Sequence, residues 1–308
     1  MSETPQSAYD REVRRLDNVR NEIPSVLGAP RTIDAWRQRR MYELVGPIID
    51  AHREATWLTI GDSGGDASYL KSCGVADVTA SSISTHQLSA LQQHGHLTGV
   101  TLREINAEHI DCESESFDII YCKEAYHHLP RPAIGLYEMI RVARKCVVLC
   151  EPCDHGGRPL DWLRVKAKSI LRGQGLEFQN FEPVGNFIFH LSARETIKIA
   201  TALSLGPLFF RNFSDFYHPA LSKKRMDQPL PRTIAKLGIS VQDGLSWLGL
   251  MSHARLCAII WKQLPAVDLS ERLQKRGFRR VNVPRNPYTS SRAELTHPHE
   301  REPEPKRR

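Results

Sequence analysis

The sequence predicts an α/β protein with a largely parallel central sheet. Between residues 56 and 150, short apolar and β-branched runs alternate with helical patterns at steps of about 20–30 residues, the rhythm of right-handed βαβ units. These runs are almost continuously apolar, as expected of strands buried on both faces of a sheet. A glycine-rich segment, Gly61–Gly65, follows the first run, as expected where a strand turns tightly into a helix.

The chain before the first strand divides into two parts. Residues 1–30 are polar and without period, and we expect an irregular segment there. Apolar residues at three- and four-residue spacing then predict a helix from Ile33 to His52, with a kink or break at Pro47. Residues 31–285 are expected to form one domain, with a core at 55–154.

The core elements follow in order along the chain. The predicted strands are Thr56–Ile60, Val78–Ala80, Thr101–Ile105, Phe117–Cys122 and Cys146–Cys150. The first helix between them contains Ala67, Tyr69 and Leu70 and is closed by Gly74, and two more are predicted from Gln87 to Gln93 and from Pro132 to Ala143.

The rhythm changes after residue 151. A basic amphipathic helix is predicted at Leu160–Arg172, and the capping box Ser192–Glu195 begins a helix that ends near Leu203. Two later strands are expected at Leu208–Phe213 and Arg255–Trp261. Segments at about 156–190 and 221–252 are interpreted as helical cap elements. Residues 286–308 are rich in Pro, Ser, Glu and Arg and are predicted to be a disordered basic tail.

Composition argues against several classes of protein. The formal net charge of the 308 residues is +7, but the last 39 residues alone hold 11 Lys and Arg against 5 acidic residues, so the body is nearly neutral and no nucleic-acid partner is expected. The longest apolar run has six residues, too short to span a membrane. The polar N-terminus lacks a secretory signal, and we expect a cytoplasmic protein.

The seven cysteines are an odd number in a chain without a secretory signal, so reduced thiols are expected. Cys150 and Cys153 have the spacing of a metal or redox pair, and His155 follows closely. No second pair follows at zinc-site spacing, which favours small buried side chains at a strand end. We therefore expect no metal.

Ligands of open α/β sheets bind outside the carboxyl ends of the strands, which directs attention to the residues after each strand. The Gly61–Gly65 turn is not a dinucleotide fingerprint, since Ser63 and Asp66 occupy two of the three glycine positions. No Gly-Lys-Ser/Thr follows, so it is not a P-loop.

Several motifs then come in order at natural spacing. They are Asn106-Ala-Glu108, Ser116-Phe-Asp118, the pair His127-His128, the helix Leu136-Tyr-Glu-Met-Ile-Arg-Val142, and a strand ending in Glu151-Pro152. With them the sequence resembles the class I S-adenosylmethionine-dependent methyltransferases, in particular the small-molecule, methyltransferase-11-like branch. The resemblance implies a Rossmann-like seven-stranded sheet, mostly parallel with the last strand antiparallel, with helices on both faces and helical insertions.

The resemblance also implies a site for S-adenosylmethionine. Gly61, Ser63 and Gly65 match a turn under the methionine part, Ser82 stands where an acid usually holds the ribose, and Asn106 with Ala107 matches the adenine contact. The expected cofactor-binding residues are Gly61, Asp62, Ser63, Gly65, Ser82, Asn106, Ala107 and Cys122.

Three positions depart from the family pattern. Thr59 replaces an acid in the first strand, Ser63 replaces the middle glycine, and Ser82 replaces the ribose acid. A neutral hydroxyl is a weaker acceptor than a carboxylate by about 1–2 kcal/mol, so roughly tenfold weaker cofactor binding is expected. Asn106 is equally consistent with capping the turn that follows it.

The candidate catalytic residues are His128, His127 and Glu124, on the loop after the fourth strand. A general base is needed only if the acceptor must lose a proton, and histidine is suited to that near neutral pH. At least one of the pair is expected to have a packing role instead.

The resulting prediction is a methyltransferase acting on oxygen or nitrogen of a small molecule or biosynthetic intermediate. The alternative is a methyltransferase-like protein with weak or no turnover that serves as a binding partner. Nucleic-acid methylation is disfavoured, because Lys123-Glu-Ala-Tyr126 stands where a (N/D)-P-P-Y tetrapeptide would be. The cap elements are expected to select the acceptor, and they allow a homodimer or peripheral membrane contact.

Overall fold

A computed structural model describes residues 4–19, 22–154, 157–172 and 180–284. Four helices precede the first strand: α1 (Pro5–Val19), α2 (Ser25–Gly28), α3 (Ile33–Leu44) and α4 (Gly46–Ala51). The expected break near Pro47 is present, because α3 ends at Leu44 and Pro47 lies in the first turn of α4. The expectation of an irregular segment before residue 30 is wrong. Helix α1 forms there because tertiary contacts hold it, among them a 2.8 Å hydrogen bond from Arg11 to Asn186.

The alternating core is present as predicted. Strands and helices follow as β1 (Thr56–Ile60), α5 (Gly65–Ser72), β2 (Asp77–Ser82), α6 (His86–Gln93), β3 (Thr101–Glu104), β4 (Phe117–Lys123), α7 (Pro132–Val142) and β5 (Ala143–Pro152). The later elements are α8 (Pro159–Arg172), α9 (Ala193–Ala202), β6 (Leu208–Phe213), α10 (Pro219–Ser222), α11 (Pro229–Trp247), β7 (Arg255–Trp261), α12 (Val267–Lys275) and β8 (Arg279–Val281). A short 3₁₀ turn, Tyr126–His128, follows β4.

The strands form one sheet in the order β3-β2-β1-β4-β5-β7-β6-β8. Strands β1 to β5 are parallel, and β7 runs antiparallel between β5 and β6. This is the Rossmann-like arrangement that was expected, with one correction. The described part of the chain has eight strands, because the three-residue β8 pairs antiparallel with β6 at the sheet edge. Its sequence, Arg-Arg-Val, is too short to show alternation.

Helices cover both faces of the sheet. Trp57, Tyr121 and Phe209 are fully buried on one face beneath apolar side chains of α3, α4, α5, α6 and α12. Leu58, Ile120 and Leu149 are buried on the other face, beneath α7 and α9. The free energy of the fold therefore comes mainly from a two-sided apolar core.

The cysteines are free thiols. Cys150 is fully buried and pairs in register with Cys257 on β7, as expected of small residues at a buried strand end. Cys153 is half-buried, and His155 lies outside the described residues, as does the predicted tail 286–308. Within the described ranges, no helix has the length and apolar character needed to cross a membrane.

Candidate active site

A crevice opens at the carboxyl ends of β1, β2 and β4. Strand β1 lies between β2 and β4. The order of the strands reverses at this point, so the loops after β1 and β4 diverge and leave a gap above the end of β1. The inner crevice is lined by residues that include Gly61, Ser82, Asn106, Ala107, Ala125 and Leu129. The outer crevice is lined by residues that include Asp62, Ser63, Gly65, Asp66 and Lys123. The two parts share Arg15, Leu16, Gly61, Glu124 and His128.

The turn after β1 requires glycine at its first position. Gly61 has a φ of +66°, and a Cβ there would lie 2.4 Å from the Cβ of Ala125. The end of β1 and the loop after β4 therefore approach each other as closely as the backbone allows, which narrows the inner crevice. Gly64, also at positive φ, begins α5.

Asp62 is buried at the edge of the outer crevice and organises this turn. Its carboxylate accepts hydrogen bonds from the amides of Gly64 (2.6 Å) and Ala67 (2.8 Å), and from the hydroxyl of Thr59 (2.8 Å). A buried carboxylate at a helix N-terminus is stabilised by these amides and by the helix dipole. The hydroxyl of Thr59 donates to Asp62, which explains why position 59 holds a threonine rather than the acid of the family pattern.

The inner crevice has apolar walls with a few polar groups. Ser82 is buried at the end of β2, and its neighbours in the lining include Ile60, Ile83 and Ile105. Asn106 follows the neighbouring strand β3, and its Oδ1 accepts the amide of Glu108 at 2.9 Å, so this side chain does cap its own turn.

Cys122 is a predicted cofactor-binding residue that the structure does not bring to the crevice. Its thiol is fully buried, lies 3.6 Å from Glu151 Oε1 and lines neither part. Burial and the charge of Glu151 raise its thiol pKa well above the usual range. Alternation along β4 directs this side chain into the core.

Glu151 at the end of β5 holds the loop after β4. Its fully buried carboxylate accepts the amides of Ala125 (2.9 Å) and Tyr126 (3.0 Å) and contacts His127 Nδ1 at 2.7 Å. His127 lines neither part of the crevice, so its observed role is to pack within this loop.

His128 does line both parts. Its Nδ1 lies 3.1 Å from Glu182 Oε1, and its ring centroid lies 3.9 Å from that of His127. Burial lowers the pKa of His128, but the carboxylate of Glu182 outweighs it and the net shift is upward. The side chains of Glu12, His128 and Glu182 lie close enough together to converge on one point. Glu12, however, already pairs with Arg15 at 2.5 Å.

Glu124 lies on the wall shared by both parts. Its backbone φ of +54° is unusual for a non-glycine residue. The carboxylate of Glu124 is bound by Arg255 at 2.6 Å and by Gln38 at 2.8 Å, and these contacts stabilise the strained backbone. Burial alone would raise its pKa, but the charges of Arg255 and Lys123 outweigh this and hold it well below the usual range. Glu124 is thus a fixed negative charge and a weak base.

A network of buried charges forms the floor of the outer crevice. Asp66 lies 3.1 Å from Lys123 Nζ and accepts the hydroxyl of Tyr42 at 2.8 Å. Burial raises the pKa of Asp66 to about 7 against the opposing charge of Lys123. Farther along, Arg37 binds Asp215 through two nitrogens, at 2.7 and 2.6 Å. These pairs join residues far apart in sequence, so motif reading missed them.

Helix α1 supplies a further wall that the sequence did not reveal. Tyr9, Glu12, Arg15 and Leu16 line the inner crevice. The buried hydroxyl of Tyr9 has no hydrogen-bond partner of good geometry among the described residues. Burial and nearby Glu108 raise its pKa, so it remains a neutral donor for a ligand.

Comparison with known proteins places this geometry in a family. Residues 58–150 match the family model described as a methyltransferase domain. This segment is a class I S-adenosylmethionine-dependent methyltransferase domain. The resemblance drawn from the motifs is confirmed, and S-adenosylmethionine is the cofactor of this domain.

The chain spans less than half the length of the curated relatives that it matches. A Mycobacterium ulcerans protein described as "Probable phthiotriol/phenolphthiotriol dimycocerosates methyltransferase 2" is 39% identical over 82 residues, which is 26% of this chain and 32% of that protein. The ubiquinone biosynthesis O-methyltransferase of Haemophilus ducreyi is 28% identical over 102 residues, 31% of this chain and 40% of its own. Among solved structures, the YcgJ protein of Bacillus subtilis aligns with a TM-score of 0.47 at 17% identity, covering 73% of this chain and 100% of that one.

The residues of the crevice fit an adenosyl group. Aliphatic side chains can enclose a purine, while Ser82, the amide of Asn106 and the unpartnered hydroxyl of Tyr9 offer polar contacts. Gly61 leaves open the space that a Cβ would fill. The residues present are therefore compatible with an adenosyl group, with a serine at position 82.

Proposed function

We propose that the chain methylates an oxygen or nitrogen atom of a small molecule, with S-adenosylmethionine as the methyl donor. The observation that carries this proposal is the crevice at the end of β1, where glycine permits close approach and polar groups surround apolar walls. One relative is named as an O-methyltransferase, which favours oxygen.

The inner crevice would hold the nucleoside and the outer crevice the amino-acid part of the cofactor. We assign the ribose to Ser82, the adenine to the apolar walls and to Asn106 and Ala107, and the amino-acid part to the turn at Gly61, Ser63 and Gly65. Glu124 contributes a fixed negative charge beside the expected position of the sulfonium.

The bound cofactor supplies an electrophilic methyl group with a good leaving group, so the protein's task is to position the acceptor and remove its proton. We assign proton removal to His128. Its Nδ1 faces Glu182, so Nε2 is the atom that takes the proton from an acceptor hydroxyl or ammonium. Glu182 then stabilises the imidazolium, and His127, held by Glu151, supports the ring.

Calorimetry with S-adenosylhomocysteine tests the assignment of the crevice. Gly61→Ala should abolish measurable binding, because the new Cβ meets Ala125 at 2.4 Å and forces the walls apart. Gly74→Ala is the matched control, since Gly74 also has a positive φ (+84°) but a Cβ there meets nothing within 4 Å. Both variants bear the same backbone strain, and thermal unfolding checks that each is folded.

Three outcomes of that experiment count against the proposal. They are absence of binding by the unmodified chain, unchanged binding by folded Gly61→Ala, and an equal loss in both variants. Turnover is tested separately, by incubating the chain and S-adenosylmethionine with a metabolite extract and seeking products that gain one methyl in place of one hydrogen. Cofactor binding with no such product in any extract would favour the non-catalytic alternative.

A further inference from the structure

Helix α11 has an apolar stripe that no part of the described chain covers. The exposed fractions of its side chains are 70% for Leu230, 60% for Leu237, 52% for Val241 and 85% for Trp247. Leu230, Ile234, Leu237, Val241 and Leu248 recur at three-, four- and seven-residue spacing, so they run along one side of the helix, and Trp247 immediately precedes Leu248 at its end. An exposed contiguous apolar patch of this kind marks an interaction site.

The opposite side of α11 is already packed on the protein. Ala235, Ile239 and Gln242 are buried, and a Cβ at Gly238 would lie 2.7 Å from the ring of Phe216. The exposed stripe is therefore a second apolar surface, beyond what the helix needs to join the fold.

The start of α8 joins the end of α11. The amide of Leu160 donates to the carbonyl of Leu250 at 3.1 Å, and Asp161 accepts the amide and hydroxyl of Ser252. Beyond this junction, Trp162 is 62% exposed and Ile170 is 72% exposed. The two amphipathic helices meet at this junction, and we call their exposed apolar side chains together the α8–α11 face.

Most of the exposed charges on these two helices are basic. On α11, Arg232 and Lys236 are exposed, and Asp243 is the one acidic residue of the helix. On α8, the basic side chains of Arg164 and Lys166 are exposed beyond Asp161. Asp161 itself is buried and bonded to Ser252, and Lys166 lies 4.9 Å from the ring centroid of Trp162.

We propose that the α8–α11 face docks on an anionic lipid bilayer. Apolar side chains would enter the headgroup region, tryptophan is favoured at that depth, and the Lys and Arg residues would meet lipid phosphates. A second copy of the chain fits this face less well, because pairing it with itself would bring the same basic residues together.

The position of α11 relates this surface to the crevice. Ser222 and Lys223 line the outer crevice and precede α11 by a few residues. A chain docked through this face would place the mouth of the crevice near the bilayer. If the proposed function holds, the acceptor is then an amphiphile drawn from the membrane.

Vesicle flotation tests the docking without requiring turnover. The full chain should float with phosphatidylglycerol vesicles and remain at the bottom with phosphatidylcholine vesicles. In Leu237→Ser/Trp247→Ser the bound fraction should fall at least about tenfold, because two large apolar side chains no longer leave water. The matched control is Leu264→Ser/Val267→Ser, at side chains 73% and 76% exposed after β7, which should float like the unmodified chain.

Ligand binding and light scattering distinguish docking on a bilayer from misfolding and from dimer formation. Binding of S-adenosylhomocysteine should be unchanged in Leu237→Ser/Trp247→Ser, which shows that the fold and the cofactor site are intact. The proposal is overturned if the unmodified chain does not float with anionic vesicles or if both double variants lose flotation equally. It is also overturned if light scattering finds a dimer that only Leu237→Ser/Trp247→Ser dissociates.

Discussion

Two buried carboxylates, those of Glu151 and Asp62, position the loops that line the crevice. Glu151 gathers two backbone amides and His127, and Asp62 gathers the amides that begin α5. A carboxylate that accepts several hydrogen bonds can remain ionised without contact with water. The two residues therefore act by positioning, while His128 and Gly61 line the crevice.

The pH dependence of turnover should depend on Glu182. Neutral His128 is the proposed base, so kcat should rise with pH through the raised pKa of His128, above the ordinary value for histidine. Glu182→Gln removes the charge that raises this pKa, so the rising limb should move to lower pH. Glu54→Gln, at an exposed glutamate before β1, is the control. An unmoved limb in Glu182→Gln would remove Glu182 from the account.

Ser82 offers a prediction of improved binding. Ser82→Asp places a carboxylate where the family usually has one, and S-adenosylhomocysteine should bind about tenfold more tightly because a charged acceptor is stronger than a hydroxyl. Calorimetry on Ser82→Asp and Ser82→Ala measures the difference. Unchanged or weaker binding in Ser82→Asp would show that Ser82 does not face the ribose.

At the scale of secondary-structure elements, the sequence predicts those strands and helices that have a clear local pattern of apolar residues. The bounds of β1, β6 and β7 agree with the structure, because each contains a short apolar or β-branched run that local pattern reveals. Helix α1 was missed because its residues are mostly polar and its order depends on distant partners such as Asn186. Cys122 was placed wrongly because motif position does not state which face of β4 a side chain occupies.

The buried pair that ties α3 to the segment after β6 has a measurable stability effect. Arg37→Met leaves Asp215, whose side chain is 3% exposed, without its main partner. Removing one member of a buried pair costs about 3–5 kcal/mol of unfolding free energy. Urea unfolding should show that loss, and Arg37→Met/Asp215→Asn should recover much of it. A loss below about 1 kcal/mol in Arg37→Met would contradict the pairing.

At the scale of the whole molecule, topology creates the site and the additions shape it. Strand β1 is central, so the turns after β1, β2 and β4 meet above the sheet, and motif order along the chain was enough to predict this. Helix α1 then narrows the inner crevice, and the α8–α11 face adds a surface that the methyltransferase domain itself does not need. These additions depend on long-range contacts, which a single sequence does not display.

Hydrogen–deuterium exchange with and without S-adenosylhomocysteine tests the central claim most directly, because it reports on every part of the crevice at once. Protection should appear in the turn after β1, at the end of β2, at residues 105–107, in the loop after β4 and in α1. Protection confined to other parts of the chain, or none at saturating ligand, would contradict the assignment of this crevice to the cofactor.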